Sequence, residues 1–285
     1  MKVGITGGSG FLGSETVKLL ADSGLYTPII IGRGGKSLKY EYRATDYSRE
    51  SLMNVLECLD AVVHLAAVRG TDISISNFQP NEIITQNIFE SCRDLGITNI
   101  VFASSIAVYS DEAQIPWREE QLPSPKTMYG VSKLACEYIA DIYHRRYGLN
   151  VKSLRIAQVL GEGERRGGMM NTFIDNAFEK KQLKVIGRSK ARREFVYVKD
   201  VARAIMLALS RQEAHGAFNI GSNEAYTNLE IAKIVNLCFN NEGNLLYDDT
   251  MDESISSSLM DSSKAREILG YTPRYSLMDG LLDIK

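Results

Sequence analysis

Short apolar, β-prone runs recur through the first 155 positions, at 3–6, 28–31, 40–44, 61–65, 100–103 and 151–156. Between them lie longer stretches, 11–23, 50–58, 81–95 and 129–147, in which apolar residues return every three or four positions. A period near 3.6 predicts helices buried along one face, and apolar runs without polar alternation predict strands covered on both faces. Strands and helices taking turns in this way predict an α/β fold with a parallel sheet between helical layers. Beyond residue 157 the pattern is less regular. It gives a glycine- and arginine-rich loop at 161–168, helices at 170–180, 198–209 and 228–236, strands at 183–186 and 217–220, and a short helix at 263–269.

The first strand runs into a loop with Gly7, Gly10 and Gly13, and a helix follows. That order is the one a dinucleotide-binding turn requires. Gly7 permits the tight turn, Gly10 lets the backbone approach a pyrophosphate, and Gly13 lets the helix pack closely on the strand. The helix start offers unpaired N–H groups and the positive end of its dipole to phosphates. The expected fold is therefore a Rossmann-type doubly wound parallel sheet. The expected domains are an NAD(P)-binding Rossmann domain over 1–157 and a smaller C-terminal α/β substrate-binding lobe over 158–285. Part of that lobe is expected to thread back onto the Rossmann sheet.

Bulk properties narrow the function classes. The 285 residues carry a formal net charge of −2 and 44% hydrophobic side chains, enough for a core and without a basic field for a nucleic acid polymer or an anionic membrane surface. No apolar run reaches the length of a membrane span. Met1 leads directly into the first strand, so no signal peptide is expected and a cytoplasmic location follows. Cys58, Cys92, Cys136 and Cys238 are scattered and read as reduced thiols, and His64, His144 and His215 are unclustered, so no metal site is expected.

Tyr129 and Lys133 stand four apart on a predicted helix and share a face. An ammonium beside a phenol favours the phenolate, which suits the tyrosine to acid–base work near neutral pH. The pair alone also fits a solvated helix face. Ser104 and Ser105 follow an apolar strand, at the carboxyl end where open parallel sheets bind ligands. A hydroxyl there can bond the substrate oxygen that the tyrosine deprotonates, or simply serve a turn.

Taken together, these pieces resemble the extended short-chain dehydrogenase/reductase family, in its NAD-dependent epimerase/dehydratase branch acting on nucleotide sugars. The resemblance runs over nearly the whole chain. Residues 6–13, with Phe11 and Leu12 between the glycines, match the cofactor loop. Asp46 matches an adenine contact, and His64-Leu65-Ala66-Ala67 a segment lying along the cofactor. Asn81 and Thr85 match a helix beside the nicotinamide ribose, and Ser105, Tyr129 and Lys133 match the catalytic triad. Arg193 matches a phosphate contact, and 218–221 and 261–270 match later blocks. The resemblance implies that Tyr129 takes a proton from a sugar hydroxyl while the cofactor takes hydride from the same carbon. Lys133 would tune Tyr129 and hold the ribose, and Ser105 would orient the sugar oxygen.

Departures from the pattern sharpen the expectation. Dehydratases of the branch place an acid just after the catalytic hydroxyl, where this chain has Ile106 and Ala107. The end of the second strand, Gly32-Arg33, lacks the carboxylate that would bond a ribose 2′-hydroxyl and adds Lys36 and Lys39, which leans the cofactor toward NADP over NAD. Gln158 replaces a substrate-side asparagine. Met251, beside Asp252 and Glu253, stands where a phosphate-gripping arginine is usual, and Arg165 or Arg166 are candidates to compensate. The leading expectation is a UDP-sugar 4-epimerase-like enzyme. The alternatives are an NADPH-dependent nucleotide-4-keto-sugar reductase and a non-catalytic dinucleotide-binding regulator. A homodimer is implied through helices 81–95 and 129–147, where Ile88, Phe89, Cys136, Ile139 and Ala140 either meet a partner or face the sheet.

Overall fold

A computed structural model of the chain describes residues 1–34, 39–70, 73–164, 167–251 and 256–285. Seven parallel strands form the central sheet. They are β1 (Lys2–Thr6), β2 (Thr27–Gly32), β3 (Tyr42–Ala44), β4 (Ala61–His64), β5 (Asn99–Ser105), β6 (Asn150–Ile156) and, far along the chain, β10 (Gly216–Ile220). Their order is β10-β6-β5-β4-β1-β2-β3. The chain moves outward from β1 in one direction and from β4 in the other. The reversal leaves a crevice at the carboxyl ends of β1 and β4, where Thr6 pairs with His64.

Alternation along each strand feeds two apolar layers. Val3, Ile5 and Ile30 face α1 (Phe11–Asp22) and α6 (Val198–Ser210), packing on Val17, Leu20, Ile205 and Leu209. Ile29, Ile31 and Val62 face α2 (Arg49–Leu56), α3 (Ile75–Asp94) and α4 (Met128–Tyr147), packing on Leu52, Leu56, Ile88 and Phe89. Ile88, Phe89, Cys136 and Ala140 are thus buried against the sheet, and Ile139 packs partly with them, so these residues serve the core and not an outer surface.

The remainder builds a third core beside the crevice. A three-stranded sheet joins β7 (Gln158–Leu160), β9 (Arg192–Tyr197) and β11 (Ala225–Thr227), and a two-stranded one joins β8 (Leu183–Ile186) and β12 (Leu245–Asp248). Helices α5 (Met169–Phe178), α7 (Asn228–Cys238) and α8 (Leu277–Ile284) close over them through Phe173, Ile231, Val235 and Leu281.

Four strands, β7, β9, β11 and β12, and helix α8 were not expected from the hydrophobic pattern. These segments lack the continuous apolar run that marked β1, β2, β4 and β5, since polar or charged residues such as Gln158, Arg192, Arg193, Glu194 and Asp248 occupy them. Helix α3 starts at Ile75, six residues before the expected 81, and carries Pro80 inside it. Proline is a helix breaker, but Phe78 is buried against the Tyr129 ring, 6.2 Å between centroids, and that packing holds the first turns. The expected helix at 263–269 is a π-turn, Ala265–Leu269. Among the described residues no helix is long and apolar enough to cross a membrane.

Candidate active site

The loop after β1 folds on itself. Gly7 has a φ of +70°, and its carbonyl accepts from Gly10 N–H at 3.0 Å. A Cβ on Gly7 would stand 2.9 Å from the Ala66 nitrogen, and one on Gly13 would overlap the Gly7 carbonyl oxygen. Strand, loop, helix and the segment after β4 therefore meet at backbone contact, which only glycine allows. Helix α1 follows Gly10, with no side-chain cap and no acidic residue in its first turn. Its N–H groups and dipole remain available to an anion.

In front of this loop opens a cavity of about 590 Å³. It is lined by Gly7, Gly10, Phe11, Leu12 and Gly13, by Leu65, Ala66 and Ala67, and by Ser105, Tyr129, Lys133 and Gln158. A dinucleotide fits this set on three counts: the glycine cradle would be filled by any Cβ, the helix start has no side-chain cap, and the side chains after β4 (Leu65, Ala66, Ala67) are apolar.

Tyr129 and Lys133 are brought to Ser105 by the start of α4. Thr127 caps that helix, its Oγ1 accepting from Gly130 N–H at 3.0 Å. A Cβ on Gly130 would overlap the Ala107 carbonyl oxygen, so the helix start and the turn after Ser105 touch through backbone. Lys133 is buried; its Nζ donates to the Ala103 carbonyl at 2.7 Å and lies 5.8 Å from the Tyr129 ring centroid. Ser105 ends β5, its Oγ accepting from Ala107 N–H at 3.2 Å.

Behind the cavity wall the polar groups are tied to one another. His64 is sandwiched between Thr6 Oγ1 at 2.8 Å and Thr85 Oγ1 at 3.1 Å, linking β1, β4 and α3. Burial first and the Lys133 charge second push its pKa down to about 3, so it is a neutral spacer. Ser104 itself lines the cavity and donates to Glu137, which pairs with Arg155 at 2.7 Å in the interior. Arg155 in turn donates to the Tyr109 hydroxyl.

Four expected contacts lie outside the cavity lining. Asn81 is buried behind it, its carboxamide accepting from Val68 N–H at 2.7 Å and donating to the Val68 carbonyl and to Ser132 Oγ, both at 3.1 Å. It fastens the segment after β4 to α4. Asp46 is exposed and accepts from Ser48 N–H at 2.8 Å at the entrance to α2; that bonding holds its carboxyl below the ordinary range. Arg33 lies with its guanidinium 5.9 Å from the Tyr47 ring centroid. Arg193, on β9, donates to Asn228 Oδ1 at 2.9 Å and contacts Met169 Sδ. Lys36, Arg165, Arg166, Asp252 and Glu253 fall outside the described residues, and Met251 is exposed.

The cavity also gathers residues the sequence did not single out: Arg69, Glu164 and Ser258. Burial pushes the Glu164 carboxyl up to about 6, with Arg69 opposing. Arg69 follows the 64–67 segment by two positions and Glu164 lies in the 161–168 loop, so both had a signal nearby. Ser258 had none. Among the described residues no three His, Cys, Asp or Glu side chains are grouped as metal ligands.

A family model described as the NAD dependent epimerase/dehydratase family matches residues 3–221. A solved UDP-N-acetylglucosamine 4-epimerase from Bacillus cereus is 46% identical with a TM-score of 0.93, covering 100% of this chain and 95% of that one. A UDP-glucuronic acid 4-epimerase from the same organism, solved with UDP-glucuronic acid and NAD, is 26% identical with a TM-score of 0.86, over 99% of this chain and 96% of that one. The UDP-glucose 4-epimerase of Lacticaseibacillus casei is 29% identical over 99% of this chain and 95% of its own length.

Proposed function

The chain belongs to the NAD-dependent epimerase/dehydratase family, and from that premise we propose that it is a nucleotide-sugar 4-epimerase acting on UDP-sugars. The observation that carries this reading is the convergence of Ser105, Tyr129 and Lys133 on the cavity that the glycine loop opens. A nicotinamide dinucleotide held by Gly7, Gly10, Phe11, Leu12, Gly13 and 65–67 would supply a reversible hydride acceptor for the sugar carbon. The protein's own part is proton transfer and position. Tyr129 takes the proton of the sugar hydroxyl and returns it, Lys133 supports the charge on the phenol oxygen, and Ser105 orients the sugar oxygen. Ile106 lines the cavity directly after Ser105 and has no proton to transfer, which argues against dehydration.

Of the two dinucleotides we propose NAD, which solved relatives bind. The basic end of β2 favours NADP on charge alone, but Arg33 already rests over Tyr47. UDP-N-acetylglucosamine is the first substrate to try, given the 46% identity to an epimerase of that sugar. Gln158 lines the cavity and is proposed to contact the sugar, with Arg193 outside the lining in a supporting place. The reading is completed by a division near residue 157 into cofactor and substrate domains, a homodimer, and a cytoplasmic location consistent with unpaired cysteines.

The deciding test is to denature the purified protein, identify any released dinucleotide, and assay UDP-sugars for interconversion. Near-stoichiometric NAD with interconversion of 4-epimers is the expected result. An empty site with selective NADPH affinity and consumption of NADPH by 4-keto sugars would replace the epimerase by a reductase. Cofactor binding without turnover of either substrate class would leave a regulator.

A further inference from the structure

Segment 256–262 lines the cavity through Ser258, and Glu194 is one of its anchors, beside backbone bonds from Ser258 to Arg192 and between Leu259, Asp261 and Trp117. Glu194 lies on β9 and is wholly buried. Its Oε1 accepts from Asn223 N–H at 2.9 Å and its Oε2 from Met260 N–H at 3.0 Å. Its own N–H donates to Ser258 Oγ at 3.4 Å. Gly221 lies flat against the carboxylate, where any Cβ would collide with it. The two anchored loops are also tied to each other. Gly221 N–H donates to Ser262 Oγ at 3.2 Å, and Ser262 N–H to Asn223 Oδ1 at 3.3 Å. The Tyr271 hydroxyl donates to the Gly221 carbonyl at 2.8 Å.

A single carboxylate therefore joins β9, the loop after β10 and the segment that carries Ser258. Burial pushes this carboxyl up to about 7 against the pull of its backbone donors. A lone buried carboxylate is a poor way to gain stability, and its worth lies in fixing geometry.

We propose that Glu194 is a positioning residue for the substrate end of the cavity, holding Ser258 and segment 256–262 against the nucleotide sugar. The proposal rests on the nucleotide-sugar reading above. A glutamine at 194 has the same shape but one acceptor oxygen. It can serve Asn223 or Met260, and its NH₂ group opposes the other N–H.

The test is Glu194→Gln in the full-length, cofactor-loaded protein, with UDP-sugar kinetics, dinucleotide content, and amide exchange at Asn223 and Met260. Read well above pH 7, where the carboxyl is ionised, the expected result is a KM raised about tenfold, the scale of one lost bond to a buried charge. We expect kcat within about twofold of wild type, unchanged dinucleotide content, and faster exchange at both amides. Faster exchange with an unchanged KM overturns the proposal, because the loops would then move without affecting substrate. A fall in kcat, cofactor content and melting temperature together also overturns it, since that is general destabilisation.

Should Glu194→Gln not fold, Ser262→Ala loosens the same junction from outside the cavity lining. A KM raised about threefold with kcat and cofactor retained supports the proposal, in proportion to a weaker neutral bond; an unchanged KM overturns it. A wild type that converts no UDP-sugar overturns the functional reading, whereas unchanged amide exchange in Glu194→Gln overturns the anchor by itself.

Discussion

Tyr129 is half-buried at the cavity wall while Lys133, one turn on, is wholly buried with its ammonium on the Ala103 carbonyl. Removing the phenol oxygen should therefore cost chemistry and spare the fold, because the Tyr129 ring keeps its packing on Phe78. Tyr129→Phe is expected to lower turnover at least about a hundredfold, the usual scale for a lost general acid–base. Dinucleotide content should stay that of wild type. Turnover within a few-fold of wild type would remove Tyr129 from the mechanism. A second residue matters for stability alone. Lys152 lies on β6, wholly buried, donating to Asn99 Oδ1 at 2.6 Å and to the Asn150 carbonyl at 3.0 Å. Burial pulls its ammonium down from 10.5 to about 7, with Glu213 opposing. Between those values the unfolded chain holds a proton the folded chain has released, so stability rises with pH across that window. Below about pH 7 the penalty is constant. Lys152→Met should abolish this rise, up to tenfold in the folding equilibrium per pH unit for one proton. Denaturant titrations of both proteins from pH 6 to pH 10 check it; parallel curves throughout would mean that Lys152 stays charged in the folded chain.

At the scale of elements, the site depends on how closely two of them approach. A glycine inside a helix ordinarily gains about 1 kcal/mol on becoming alanine. At Gly130 the sign reverses, because the added Cβ meets the Ala107 carbonyl oxygen and stands 3.0 Å from Pro125 Cβ. The start of α4 must retreat from the turn that carries Ser105. A displacement of about 1 Å at a catalytic group can cost a hundredfold. Gly130→Ala is therefore expected to lose about tenfold to a hundredfold in kcat and to melt lower. A higher melting temperature with kcat intact would show that the two elements have slack. The glycines of the cofactor loop were legible in the sequence because each answers a backbone demand, whereas Gly130 was hidden between Tyr129 and Lys133. The paired strands and helices of the first 156 residues were legible because long apolar runs record burial on both faces. β7, β9, β11 and β12 were not, because their partners, such as Glu194 opposite Ala225, are set by tertiary pairing. Asn81 and Ser258 show the same limit in the site. The sequence motif marked Asn81 but not its turn toward Val68, and no pattern marked Ser258, whose hydroxyl accepts from the backbone N–H of Glu194, 64 positions earlier.

For the whole molecule, the sheet-facing sides of α3 and α4 are filled, and their outer sides are not. Val131, Tyr138 and Ile142 recur at helical spacing along α4 and are 43%, 57% and 47% exposed, with Ile83 of α3 at 50%. This stripe lies opposite Cys136, Ala140 and Tyr143, which face the core. A second copy can present the same two helices, so one apolar patch would meet itself about a two-fold axis and bury four helices together. That geometry would leave the cavity of each subunit on its own chain and would let the partner brace α4, whose first turn carries Tyr129. Light scattering on the wild type should accordingly report twice the chain mass at micromolar concentration. Placing charges in the stripe, Tyr138→Glu with Ile142→Glu, should give monomers, because two unpaired carboxylates per subunit would be desolvated in the contact. Dinucleotide content should persist in those monomers, since neither side chain lines the cofactor cavity. A monomeric wild type would show that the stripe has no partner of its own kind, and a dimeric double variant would place the interface elsewhere. A dimer lost together with turnover while the cofactor stays bound would mean that the partner's support of α4 sets the position of Tyr129.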